Sequence, residues 1–360
     1  MKKQTKPLHT HKWRQGRRKN ILLLFVLLCG MAATFLLSVF TGSAEAGLSE
    51  VVRCLAAGPE IESGSPVDYT THTIIWSLRL PRVLMSLLCG AGLGLAGAAM
   101  QGILRNPLAS PYTLGISSAA GFGASLAIVL DVGIASVFST AGYLLIISNS
   151  FFFSILVLGI VLLISRTKSY RPSTMILAGI SMMYLFSAGT SLLQYLATND
   201  QLAKIVFWLM GSLMSVTWKQ LTIISVFMAV VFPLLMRLSW SLNILSCGEE
   251  VAQSLGVHPR FVMVSTALLA SVVTAGLVSF CGVIGFIGLV APHIVRMMVG
   301  GDHRLLLPAS AMSGSVILAL SDTIARTVLT PMELPIGVIT SFIGVPFFIS
   351  ILIRRKGTSH

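Results

Sequence analysis

The sequence predicts an all-α, polytopic membrane helical bundle of about ten transmembrane helices, with one short polar helix between two of them. Three observations predict it. Of 360 residues, 55% are hydrophobic and only 10% are charged, with a mean hydropathy of +0.88; soluble domains carry about 25% charged residues. The apolar runs reach the roughly 20 residues that a helix needs to cross hydrocarbon. They are also much longer than the strands of a membrane barrel, which leaves helices as the spanning element.

Residues 1–20 form a basic tail with eight of the 25 Lys and Arg and no acid: Lys2, Lys3, Lys6, Lys12, Arg14, Arg17, Arg18 and Lys19. The tail abuts an apolar run over 21–40. A secretory leader is the competing reading, but the run is too long for one and no clear cleavage site follows it. A retained first span is therefore expected, and the tail is topogenic and lipid-facing. The net charge of +13 thus points to no nucleic-acid partner. A loop over 41–78 follows, with Glu45, Glu50, Glu60, Glu62 and Asp68 set against Arg53.

The remaining spans are expected near 82–104, 113–131, 136–164, 173–197, 219–239, 260–280, 283–299, 304–328 and 335–353. Together with the first they make a transmembrane domain over 21–356, followed by a 357–360 tail. With the N-terminus inside, inner segments hold nineteen Lys and Arg against six outside, so both termini are expected in the cytoplasm. Spans two and seven share a glycine-rich texture, with Gly90, Gly92, Gly94 and Gly97 in one and Gly276, Gly282, Gly285 and Gly288 around the other. Two readings stand: an inverted repeat of the transporter kind, or close helix packing through small residues.

The short polar helix is expected over 246–258. Ser246 with Glu249 offers a capping box, Val251 and Leu255 share one face, Gly256 can close the helix and Pro259 prevents its continuation. Such a helix needs a surface for its apolar face, in this chain or in a partner. At the outer mouth of span two stands Arg79-Leu80-Pro81-Arg82, and near the outer end of span nine Arg326 lies one helical turn after Asp322. Arginines here serve either as headgroup anchors or as a clamp for carboxylates of an external partner; an Asp322–Arg326 pair can also be purely structural. Span two closes on Arg105-Asn106-Pro107-Leu108-Ala109-Ser110-Pro111, where two prolines leave irregular backbone that forms a tight turn or lines a pathway.

No metal or catalytic set emerges. His293 and His303, with Asp302, do not form an acid–base or metal cluster, and the five cysteines (Cys29, Cys54, Cys89, Cys247, Cys281) imply no disulfide framework. No G-x-x-x-x-G-K-[ST] phosphate loop occurs in these residues, and no Gly precedes a Lys, so an ATP-driven process needs another polypeptide. An ion-coupled carrier, the main rival, usually wants carboxylates near the midplane; Asp322 and Asp131 sit toward span ends.

From Arg79 to Lys356 the chain resembles the permease subunits of bacterial ABC importers for iron-siderophores, haem and cobalamin. The resemblance rests on Arg79-Leu80-Pro81-Arg82, Gly97-Ala98-Ala99-Met100-Gln101, Asn106-Pro107-Leu108, Trp208-Leu209-Met210-Gly211-Ser212, Gly248-Glu249-Glu250-Val251-Ala252 with Leu255-Gly256, Gly285-Phe286-Ile287-Gly288-Leu289-Val290-Ala291-Pro292-His293 and Glu333-Leu334-Pro335-Ile336-Gly337, in this order. It implies a second permease subunit, identical or not, two cytoplasmic ATPases that hold ATP and Mg, and an external substrate-binding protein. It implies no cofactor on this chain, which would itself be no enzyme, and places it in the bacterial cytoplasmic membrane. By the same resemblance Arg79, Arg82 and Arg326 receive acids of the binding protein. Gly248, Glu249, Glu250, Val251, Ala252, Leu255 and Gly256 couple to the ATPase. Asn106, Leu108 and Ser173 are inner-gate positions. The expected cargo is an iron-siderophore, with haem and cobalamin as alternatives.

Overall fold

The computed structural model describes residues 8–42, 47–59, 68–130, 142–168 and 170–355. Asp131, Glu45, Glu60 and Glu62 lie outside them, as do residues 1–7 of the basic tail. Ten helices of 13 residues or more lie where the ten spans are expected. They are α1 (Leu8–Phe40), α4 (Leu80–Leu104), α5 (Ile116–Leu130), α6 (Gly142–Arg166), α7 (Pro172–Leu196), α9 (Trp218–Ser246), α11 (Pro259–Cys281), α12 (Ile287–Val299), α13 (His303–Thr327) and α14 (Ile336–Arg355). Short helices intervene: α2 (Leu48–Ala57), α3 (Tyr69–Thr73), α8 (Asn199–Leu209) and α10 (Glu249–Ser254). Among the described residues, seven helical segments are long and apolar enough to cross a membrane, whereas α5, α12 and the apolar part of α14 run only 10–17 residues.

The centre of the bundle is α4, which packs on α13, α11, α12 and α9. Its glycines make this possible. A Cβ on Gly97 would lie 1.8 Å from the Gly288 carbonyl oxygen, and one on Gly90 would lie 2.3 Å from that of Gly314. Backbone thus meets backbone, as small residues allow between membrane helices. The glycine-rich texture of spans two and seven therefore has a packing role. At the bundle's edge, α1 leans on α13, and the Ser38 and Thr323 hydroxyls hydrogen-bond each other.

Span two starts earlier than its proline suggests. Residues 69–104 form one continuous helical path, through a π-helical segment over Ile74–Arg79 that leads into α4. Leu80 N–H donates to the Ile75 carbonyl in the i−5 pattern. The next carbonyl in that register, Trp76, would face the nitrogen of Pro81, which has no proton. It accepts instead from the Trp218 indole N–H at 2.8 Å. The π-turn and a neighbouring helix together absorb the proline, so Arg79-Leu80-Pro81-Arg82 is a helical stretch and not an open mouth.

The Trp218 contact places the start of α9 beside the start of α4, at what is here called the arginine end. At the opposite end, Arg105 donates to the Leu245 carbonyl at 3.1 Å, so the two helices also finish together. The Asn243 side chain ties α9 to α13 there, donating to Asp302 at 2.6 Å and accepting from the His303 N–H at 2.7 Å. His303 is thereby a structural residue, and His293, packed edge-on to Phe347 with ring centroids 6.0 Å apart, lies in an aromatic cluster.

Candidate transport pathway and its two ends

Three interruptions meet inside the bundle. The α8–α9 connection, the α11–α12 turn and the start of α14 converge around Met210, Gly211, Gly282, Val283 and Gly337. Gly211 and Gly282 have φ of +72° and +70°, a region open to glycine at little cost. A side chain would also collide there: a Cβ on Gly282 would lie 2.3 Å from the Trp208 carbonyl oxygen, and one on Gly337 2.4 Å from that of Met210. The freed backbone groups satisfy one another. Ser212 N–H donates to the Cys281 carbonyl at 2.8 Å, Gly337 N–H to Met210 at 3.0 Å, and the Tyr112 hydroxyl to the Ile284 carbonyl. Broken backbone at membrane depth is tolerated where it is buried in protein or lines a cavity, and here it does both. These breaks explain where α12 and α14 begin: each starts inside the bundle and runs to the end opposite the arginines.

Two cavities flank the junction. One of about 610 Å³ is lined by Leu209, Met210, Val283, Gly337 and the α14 residues Val338 and Phe342. The other, about 310 Å³, is lined by hydroxyls of α5 and α7 (Ser117, Ser118, Ser187, Thr190, Ser191) with Gln194. Leu209 and Val283 border both. Sequence reasoning assigned irregular backbone to 105–111 and missed this junction. Its signals were the glycines at 211, 282, 285 and 337, which read equally well as packing positions until the folded chain brings them together.

At the arginine end, Arg79, Arg82 and Arg326 do converge, lining one cleft of about 120 Å³ with Glu333 and Met214. They are not free guanidiniums, however; all three are buried and engaged by this chain. Arg82 pairs through Nε with Asp322 at 2.9 Å and through Nη1 with Glu333 at 2.7 Å. Arg326 pairs with Asp322 at 3.1 Å and donates to the Ser38 carbonyl at 3.1 Å; Arg79 donates to the Val39 carbonyl at 3.0 Å. The expected Asp322–Arg326 turn-to-turn pair is present, and Asp322 also bridges to α4. Three cations against two carboxylates leave the cluster one positive charge in excess. The role of Glu333 was not foreseen, because it lies 251 positions from Arg82.

At the opposite end the polar helix is shorter than expected. Helix α9 runs through Ser246, whose hydroxyl turns back to the Asn243 carbonyl at 2.6 Å, and the next helix starts only at Glu249 after Gly248. Ser246 therefore caps nothing, there is no capping box with Glu249, and Cys247 lies between the two helices. The close falls as the sequence indicates. Val257 N–H donates to Ala252 at 2.9 Å and Gly256 N–H to Gln253 at 3.0 Å, with Gly256 at φ +76°, the Schellman arrangement. Pro259 then opens α11. Ala252 is buried against the bundle, but Val251 and Leu255 are 44% and 59% exposed, and Glu249 and Glu250 are exposed beside them. Nearby, Arg105 adopts a left-handed φ of +49° that ends α4. Asn106 Oδ1 accepts from the Leu108 N–H at 2.9 Å, turning the exposed Leu108 outward. Ser173 is exposed at the second position of α7.

Continuous bundle helices, a central junction of broken ones and a polar helix left uncovered at one end define a multi-pass membrane permease. The chain belongs to the FecCD transport family, which residues 28–354 match, and is the permease subunit of an ABC importer. It is 37% identical to the hemin transport system permease protein of Yersinia pestis, over 78% of this chain and 84% of that one. It is 34% identical to the molybdate import system permease protein of Haemophilus influenzae, over 93% and 96%. A solved ABC transporter described as of metal-chelate type, in an inward-facing conformation, superposes with a TM-score of 0.78 at 34% identity, covering 92% of this chain and 98% of that one.

Proposed function

We propose that this permease imports an iron-siderophore complex across the bacterial cytoplasmic membrane, with both termini in the cytoplasm. An external binding protein delivers the complex to the arginine end. A second permease subunit completes the pathway, and two ATPases, which carry ATP and Mg, drive it from the opposite end; the chain itself holds no cofactor. The observation that carries this reading is the α10 surface. Val251 and Leu255 present an apolar face flanked by Glu249 and Glu250 at the end of the bundle, where none of the described residues covers it. A partner that changes shape with nucleotide can push there, and the differential binding energy of its two states shifts the permease between its own. Asn106, Leu108 and Ser173 lie at that same end and serve as the inner gate.

The metal-chelate neighbour and the hemin-transporting relative support an iron chelate as cargo, and the molybdate relative marks the alternative of a small oxyanion. The larger of the two junction cavities is lined chiefly by apolar side chains, which suits a bulky chelate better than a hydrated oxyanion. Uptake into proteoliposomes containing the permease, its ATPase and the binding protein encoded beside it is the test. ATP-dependent accumulation of a ferric trihydroxamate, uncompeted by molybdate, haem or cobalamin, is expected; accumulation of one of those three instead overturns the cargo assignment.

A further inference from the structure

We propose that Arg82 is a carboxylate-exchange site: an acid of the docking protein takes the guanidinium edge held by Glu333, and the displaced Glu333 loosens the anchor of α14. The inference rests on the docking role of the arginine end. Two carboxylates hold the cluster, and they are not equivalent. Asp322 is 1% exposed, lies within α13 and is paired to both Arg82 and Arg326. Glu333 is 18% exposed, lies in the non-helical connection between α13 and α14, and pairs with Arg82 through one contact of 2.7 Å. It also lines the cleft through which an incoming acid would reach Arg79, Arg82 and Arg326. The excess positive charge favours entry of a carboxylate, and Glu333 is the acid such a group can replace at least cost.

Displacement has a short path to the cavity. Next to Glu333, Leu334 N–H donates to the Ala325 carbonyl at 3.0 Å; Ile336 and Gly337 then donate to Gly211 and Met210 at 3.3 and 3.0 Å. These bonds fix the first turn of α14, which lines the large cavity through Gly337, Val338 and Phe342. Glu333 thus joins the docking face to the central junction within four residues. Asp322 has no such reach, because α13 is helical on both sides of it.

The test titrates the permease–ATPase complex in nanodiscs with the binding protein encoded beside this chain. Glu333→Gln is expected to tighten docking about tenfold, because a neutral amide competes less well for a guanidinium than a carboxylate does. It is also expected to raise ATP hydrolysis in the absence of the binding protein and to blunt its stimulation on docking. Glu333→Asp, which keeps the charge on a shorter arm, should fall between. Arg79→Glu separates the two levels of the reading. If it abolishes docking while Glu333→Gln leaves affinity unchanged or weaker, exchange is overturned and the docking face stands. If neither substitution changes affinity, the docking face falls and exchange falls with it.

Discussion

Replacing Asp322 by Asn probes the arginine end most directly. The Asp322 side chain is 1% exposed and its two oxygens pair with Arg82 at 2.9 Å and Arg326 at 3.1 Å. The amide keeps the shape and removes the charge, so two buried guanidiniums lose their shared counterion and three cations remain against Glu333 alone. Breaking a buried pair from one side costs about 3–5 kcal/mol, because the surviving charge stays desolvated. At roughly 2 °C per kcal/mol for a chain of this size, the midpoint of thermal unfolding should fall by about 6–10 °C. The assay is the loss of the monodisperse elution peak of detergent-solubilised protein after heating. Glu333→Gln is the comparison: its acid is more exposed and singly paired, so its loss should be near 1 kcal/mol, or about 2 °C. Equal shifts for the two variants, or an Asp322→Asn shift below about 2 °C, would refute the view that Asp322 neutralises the core of the cluster. Adding Arg326→Gln to Asp322→Asn should restore part of the loss by removing one of the stranded charges.

Other expectations follow from separate parts of the molecule. Gly97→Ala places a methyl 1.8 Å from the Gly288 carbonyl oxygen, and the overpacking between α4 and α12 should cost about 1–3 kcal/mol, read by the same thermal assay; a neutral result would mean that the helices part freely. Val251→Asp with Leu255→Asp should abolish co-purification of the ATPase while leaving the unfolding midpoint within about 1 °C, since both side chains are already exposed. Glu249→Lys with Glu250→Lys should weaken ATPase association and uptake together; ATP-dependent uptake at the wild-type level would sink the coupling role. At the head of α3, the Asp68 carboxylate accepts from the Thr71 N–H at 2.9 Å and from its hydroxyl at 3.1 Å, which holds its pKa below the usual carboxylate value. A depressed pKa contributes stability above the unfolded value and loses it as pH falls through the folded one. Exchange protection of the Thr71 amide should therefore persist through mildly acidic pH and disappear in strong acid, and Asp68→Asn should flatten that dependence.

The sequence by itself determined the all-α membrane class and where its apolar helices lie, because apolar length and scarce charge are local properties that a bilayer reads directly. It also determined the polar helix and its close, since Gly256 and Pro259 act on the backbone within one turn. The start of that helix was misplaced: Ser246 has the chemistry of a cap, but α9 continues through it and uses its hydroxyl for a local bond. The start of α4 was likewise set by a distant residue, the Trp218 indole that satisfies the carbonyl Pro81 leaves open. The three arginines were legible as charges near span ends, and the Asp322–Arg326 pair as an i,i+4 spacing. That their guanidiniums are buried, and that Glu333 holds one of them, was decided by folding, because ion pairs across 240 and 251 positions have no local signature. The central junction belongs to the same kind. Each glycine in it permits a break or a close contact, and only the packing of three breaks against one another turns that permission into a cavity.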